Sequence, residues 1–262
     1  MPTVADIMSA KPLTLVPQAS LKDAVDIMVE KNVGSLYVVN AKNVPLGVLT
    51  ERELLQDLVI NKELSKDLEV GKVMSRGVVS IPPEASVIEA ARTMLKAKGR
   101  LAVTRNDEII GVVTASDFVR VFSTGPENRS ISSNATQKVK TLDVENTTFD
   151  AIRLMYERRI GSVVVTEDGR PYGIFTERDI LRILAGRREK MMMETKLGQV
   201  ASRPLVTANL GVTAMEAASI MKSNKIKRLP LVKGDNLVAI ITARDLVEIY
   251  VTTGLPAVTI RG

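Results

Sequence analysis

Apolar residues along this chain fall into two spacings that alternate, and the alternation itself recurs. Leu21, Ala24, Val25 and Met28 stand at i, i+3, i+4 and i+7, the stripe of a helix with one buried face. The same stripe returns as Val87, Ala90, Ala91 and Met94, as Ala151, Ile152 and Met155, and as Ala214, Ala217, Ala218 and Met221. The methionines within it read as core filling. After each stripe comes an apolar run of strand length: Gly34-Ser35-Leu36-Tyr37-Val38-Val39, Gly99-Arg100-Leu101-Ala102-Val103, Gly161-Ser162-Val163-Val164-Val165 and Lys227-Arg228-Leu229-Pro230-Leu231-Val232. Turn chemistry at Asn106-Asp107, Asp168-Gly169 and Gly234-Asp235 predicts a hairpin into a second strand. That strand passes into a second amphipathic helix, as with Ile180, Leu181, Ile183 and Leu184. A short extended piece precedes each stripe, at Pro12–Pro17, Val78–Pro82, Val139–Val144 and Pro204–Thr207. The predicted unit is therefore α/β: strand, helix, strand, strand, helix.

The junction between the second strand and the second helix fixes the register of the repeats. It reads Gly47-Val48-Leu49-Thr50-Glu51-Arg52-Glu53, Gly111-Val112-Val113-Thr114-Ala115-Ser116-Asp117, Gly173-Ile174-Phe175-Thr176-Glu177-Arg178-Asp179 and Ala239-Ile240-Ile241-Thr242-Ala243-Arg244-Asp245. The threonines are 64, 62 and 66 residues apart, a repeat architecture. We divide the chain into repeats at 1–60, 61–124, 125–190 and 191–262. Ser123–Gln137, with Gly125-Pro126 and the polar Ser132-Ser133-Asn134, reads as a linker that parts two halves of two repeats each. Arg187–Thr195, with Met191-Met192-Met193, reads as a helix end and connection. A unit this small is marginal alone, so neighbouring repeats are expected to bury their sheets against one another.

Two chemistries fit the junction. Thr-x-x-acid is a capping box, in which hydroxyl and carboxylate satisfy the free N–H groups of a helix start. This suits Glu53 better than the shorter Asp117, Asp179 and Asp245. Alternatively, the helix start and hydroxyl face an anion while the carboxylate accepts the two hydroxyls of a ribose. Capping and binding can coexist.

Composition narrows the field. The 262 residues are 45% hydrophobic and 25% charged, ordinary for a globular protein. There is no Cys and no His, which removes disulfides, thiol nucleophiles, Cys or His metal sites and Ser-His-Asp catalysis. The first ten residues carry Asp6 and no secretory pattern, and the longest charge-free run, Ile249–Ile260, is 12 residues, too short to span a bilayer. A soluble cytoplasmic protein is expected. A net charge of +6 points to anionic partners, while 3% aromatics and no Trp weigh against a base-stacking single-strand binder.

Taken in order, the openings Val4-Ala5-Asp6-Ile7-Met8-Ser9 and Val70-Gly71-Lys72-Val73-Met74-Ser75, the Gly-Ser-Leu and Arg-Leu-Pro strands and the Gly-x-x-Thr-x-x-Asp endings resemble cystathionine-beta-synthase (CBS) domains. The resemblance covers nearly the whole chain as four copies. It implies four CBS repeats arranged as two tandem CBS pairs whose clefts hold an adenosine nucleotide. It also implies that the Thr and Asp of each ending contact ribose and phosphate, and that residues entering the Gly-Ser-Leu strand lie near base and phosphate. Copy three departs, since Ile131–Lys138 lacks the Asp-Ile-Met opening.

Basic residues recur at matching points: Lys11, Arg76 and Arg203 before the first strand, Arg100 and Arg228 at the strand entry, Arg52, Arg178 and Arg244 before the acid. Singly each reads as a surface charge; beside a helix start they read as phosphate ligands, Arg228 and Arg244 above all. The candidate nucleotide site is Thr50, Arg52, Glu53, Thr114, Asp117, Ser162, Thr176, Arg178, Asp179, Arg203, Arg228, Thr242, Arg244 and Asp245, with no catalytic or metal residue. The expected function is a non-enzymatic sensor of AMP, ADP or ATP, able to form a homodimer or regulate a partner protein. The alternatives are a nucleic-acid binder, an S-adenosylmethionine module and a ligand-free scaffold.

Overall fold

A computed structural model describes residues 2–97, 99–123, 129–186 and 193–253. Gly125-Pro126, Arg187 and Met191-Met192 lie outside the described residues. In the first repeat an opening turn of helix α1 (Val4–Ile7) and strand β1 (Ser9–Ala10) precede β2 (Thr14–Leu15), α2 (Leu21–Glu30), β3 (Ser35–Val39), β4 (Pro45–Thr50) and α3 (Glu51–Asn61). The second repeat runs α4 (Val70–Val73), β5 (Ser75–Arg76), β6 (Ser80–Ile81), α5 (Val87–Lys96), β7 (Arg100–Arg105), β8 (Glu108–Thr114) and α6 (Ala115–Phe122). The third has β9 (Thr141–Asp143), α7 (Thr148–Arg158), β10 (Ser162–Glu167), β11 (Arg170–Thr176) and α8 (Glu177–Ala185). The fourth has α9 (Leu197–Val200), β12 (Ala208–Asn209), α10 (Ala214–Ser223), β13 (Arg228–Lys233), β14 (Asn236–Thr242) and α11 (Ala243–Thr253).

Each repeat has the predicted order. The central strand pairs in parallel with the short first strand and antiparallel with the signature strand. The hairpins turn through left-handed Asn106 and Asp107, through Asp168 and Gly169, and at Gly234. The helical stripes are the core: Met28, Met94, Met155 and Met221 are fully buried, each with its alanines.

The hydrophobic cores do not follow the order of the chain. One compact unit holds Leu13–Val78 and Lys140–Leu205, where α2 and α3 pack on α7 and α8. The other holds Met1–Pro12, Val79–Val139 and Val206–Gly262, where α5 and α6 pack on α10 and α11. The helices of repeats one and three thus share one core, and those of two and four the other. The expected parting of two halves at Ser123–Gln137 is not how the cores divide. Part of that stretch is also ordered structure: Ile131 is wholly buried, and Thr136 bridges Ile240 with reciprocal backbone bonds of 2.9 Å. A polar stretch concealed one deeply buried residue.

The openings explain the signature glycine. Strand β1 adds to β8, placing Ser9 opposite Val112, and β5 adds to β4, placing Ser75 opposite Val48. Ser202 bridges Ile174 in the same register, as Thr136 does Ile240. A Cβ at Gly47 would meet the Met74 sulfur at 2.6 Å, and one at Gly111 the Met8 sulfur at 2.6 Å. At Gly173 it would meet the Ser202 carbonyl oxygen at 3.0 Å. The fourth signature begins with Ala239, and there the residue in the methionine's register is Ala135. Where the fourth signature carries a Cβ in place of glycine, the residue facing it in that register is therefore small, as Ala201 is before Ser202.

Candidate functional site

Each signature threonine ends its strand with extended backbone, so the next residue starts a helix and the acid three places on folds back. The carboxylate accepts the threonine's own N–H and hydroxyl in every repeat. These two bonds measure 2.8 and 2.5 Å for Thr50–Glu53, 2.7 and 2.9 Å for Thr114–Asp117, 2.8 and 2.7 Å for Thr176–Asp179, and 2.7 and 2.8 Å for Thr242–Asp245. The expectation that Asp suits the box less than Glu is corrected. Asp also closes boxes at Thr3–Asp6, Ser20–Asp23 and Thr147–Asp150, because its carboxylate reaches the N-cap amide at 2.7–3.2 Å. One carboxylate oxygen of each signature acid is therefore committed to the helix start.

The second oxygen sets the repeats apart. Glu53 Oε1 accepts from Ser75 Oγ at 2.7 Å. Asp179 Oδ1 accepts from Ser202 Oγ at 2.9 Å and Arg182 Nη1 at 3.3 Å. Asp117 Oδ1 lies 3.1 Å from Arg120 Nη2, which also donates to the Ile7 carbonyl at 2.6 Å. Asp245 Oδ1 accepts no hydrogen bond among the described residues. Burial raises the Asp117 carboxyl above its ordinary pKa, against the opposing bonds from Thr114 and the charge of Arg120. Burial likewise raises Asp245, opposed by Thr242 and Arg244 and reinforced by Glu248. Asp245 is thus a half-buried carboxylate with one oxygen free to accept.

Four of the predicted phosphate arginines have other partners. Arg52 pairs with Glu177 at 3.5 Å, and Arg178 Nη1 donates to Asn32 Oδ1 at 2.9 Å. Arg244 donates to the carbonyls of Leu95 at 2.8 Å and Ala97 at 3.4 Å, at the C-terminal end of α5 where the helix dipole favours a cation. Arg203 stacks on the Tyr172 ring at 5.3 Å and bonds its hydroxyl. The strand-entry residues sit opposite the signature threonine in every sheet: Ser35 against Thr50, Arg100 against Thr114, Ser162 against Thr176 and Arg228 against Thr242. Sequence reasoning passed over Ser75 and Ser202. Their signal is a hydroxyl at one register of every opening, Ser9, Ser75, Thr136 and Ser202.

No cluster of acids that could hold a metal occurs among the described residues, and no helix is long and apolar enough to cross a membrane. The family model "CBS domain" matches residues 4–60, 70–124, 129–186 and 197–252. Protein MJ1404 of Methanocaldococcus jannaschii is 26% identical over 263 residues, covering 94% of this chain and 61% of that protein. A 33.4 kDa protein of Thermofilum pendens is 28% identical over 193 residues, covering 68% and 63%. The chain therefore spans less than two thirds of either relative. The crystal structure of protein MJ1225 of M. jannaschii superposes with a TM-score of 0.85 at 22% identity, covering 95% of this chain and 99% of that one. At that identity it speaks for the fold.

Proposed function

Because the chain belongs to the CBS-domain family, with four domains along its length, we propose that it is a non-enzymatic regulatory protein that binds an adenine nucleotide, AMP, ADP or ATP, at its signature strand ends. The observation that carries this reading is Asp245. Among the described residues one of its carboxylate oxygens is unclaimed, in a half-buried position at a helix start, with Arg228 across the strand from Thr242. A ribose diol supplies the missing donors, and an arginine opposite the helix start suits a phosphate. Binding then biases one arrangement of the repeats, or of the chain against a regulated partner, by the ligand's differential affinity.

The experiment is thermal stability of the full chain with AMP, ADP, ATP, adenosine and S-adenosylmethionine, followed by calorimetric titration of those that act. A ligand at about 100 times its Kd stabilises by about 2.7 kcal/mol, a clear rise in Tm. If none of the five raises Tm, the adenosine reading fails and a scaffold or a nucleic-acid role on the basic surface takes its place.

A further inference from the structure

The four signatures are of two kinds. In repeats one and three the residue after the threonine is an acid, Glu51 and Glu177, and the strand-entry residue opposite the threonine is Ser35 or Ser162. In repeats two and four those positions hold Ala115 and Ala243, with Arg100 and Arg228 opposite. The Glu51 carboxylate folds over the strand entry: a Cβ at Gly34 would fall 2.5 to 2.7 Å from its Oε2, Cδ and Oε1 atoms. The Glu177 side chain is only 11% exposed and engages Arg52 at 3.5 Å, so it also draws that cation away from an incoming anion. The starts of α3 and α8 therefore already carry a carboxylate that complements the helix dipole, and an incoming phosphate meets like charge. In those repeats the second oxygen of the signature acid is also held, by Ser75 or Ser202. Repeat two has the opposite character, since Arg100 Nη1 is a buried cationic donor with no hydrogen-bond partner among the described residues.

We propose that Glu51 and Glu177 are selectivity residues that close the first and third repeats to the phosphate of a nucleotide, so that a phosphorylated ligand goes to the second and fourth. The proposal rests on the adenosine reading and adds to it which repeats take phosphate, and why. Adenosine, which carries no charge, is not turned away by the glutamates.

The test titrates full-length wild type and the E51Q/E177Q variant with AMP and with adenosine by calorimetry. Gln keeps the size of each side chain and one acceptor oxygen, removes the charge and turns the other oxygen into an NH2 donor. The variant is expected to gain AMP sites, or to tighten its weaker AMP class by about ten-fold, equivalent to about 1.4 kcal/mol, with adenosine affinity changed by less than about three-fold. E51A/E177A, which installs the alanines of repeats two and four, is expected to act in the same direction. Unchanged AMP stoichiometry and affinity in the Gln variant overturn the proposal, as does equal tightening of adenosine, which shows that the gain does not depend on the phosphate. If wild type binds neither ligand, the adenosine reading itself has failed; if it binds AMP and the variant matches it, only the selectivity role has.

Discussion

Replacing Asp179 by Ala removes a buried carboxylate that accepts from the Thr176 amide and hydroxyl, the Ser202 hydroxyl and Arg182. Hydrogen bonds to a charged group are worth about 1.5–3 kcal/mol each, but these share one carboxylate and do not add, so we expect a loss of about 2–4 kcal/mol. Asp245→Ala removes only the two threonine bonds and also relieves a desolvated charge, so its loss should be about 1–2 kcal/mol. For units of this size each kcal/mol moves Tm by about 2–4 °C. Scanning calorimetry should therefore show the transition of the first-and-third-repeat unit falling further in D179A than that of the second-and-fourth unit in D245A. The pairing with Ser202 can be isolated by a cycle of D179A, S202A and D179A/S202A. A coupling of about 0.5–3 kcal/mol is expected, because D179A strands the Ser202 hydroxyl and the double variant does not. Equal losses in D179A and D245A, together with zero coupling, would show that Ser202 does not hold Asp179.

Other outcomes follow from packing and charge. Gly111→Ala should destabilise by about 1–3 kcal/mol through collision with Met8, measured by denaturant titration, whereas Ala239→Gly should cost no more than about 1 kcal/mol. Burial raises the folded-state carboxyl of Asp245, so the native state binds more protons than the unfolded one between the ordinary value of 3.8 and the raised one, and stability falls as pH rises through that window. Asp245→Asn, which retains an acceptor for Thr242, should therefore be at least as stable as wild type at pH 7, with the difference vanishing as pH is lowered past the carboxylate range. A difference that grows toward low pH would reverse that sign.

Much of this was written in the sequence. The spacing of alanines and methionines gave the helices and their buried faces, because a 3.6-residue period leaves a direct trace. The junction Thr-x-x-acid gave the helix starts. What periodicity could not give was the partner of each helical face: a stripe reports that a surface is buried and is silent about what buries it. Hence the sharing of cores between alternate repeats was invisible. The buried opening of the third repeat was hidden because Ile131 and Ala135 are embedded in Ser and Asn, so only two apolar residues marked a segment held by backbone bonds. At the candidate site, the acids were legible as helix-start residues, but not which of them are engaged by other side chains. That depends on Ser75 and Ser202, 22 and 23 residues further along the chain from Glu53 and Asp179. The arginines' present partners were hidden for a similar reason, since a helix C-terminus draws a guanidinium as a phosphate does, and Arg244 has the carbonyls of Leu95 and Ala97 within reach.

The most direct measurement is calorimetric titration of AMP into full-length wild type and Asp245→Asn, with Tm recorded for both. Removing one charge-assisted acceptor from the ligand should weaken the affected site by about 1.5–3 kcal/mol, roughly ten- to a hundred-fold, in a protein whose Tm without ligand has not fallen. Wild-type AMP affinity in Asp245→Asn, at every site detected, would contradict the assignment of this carboxylate to the ligand.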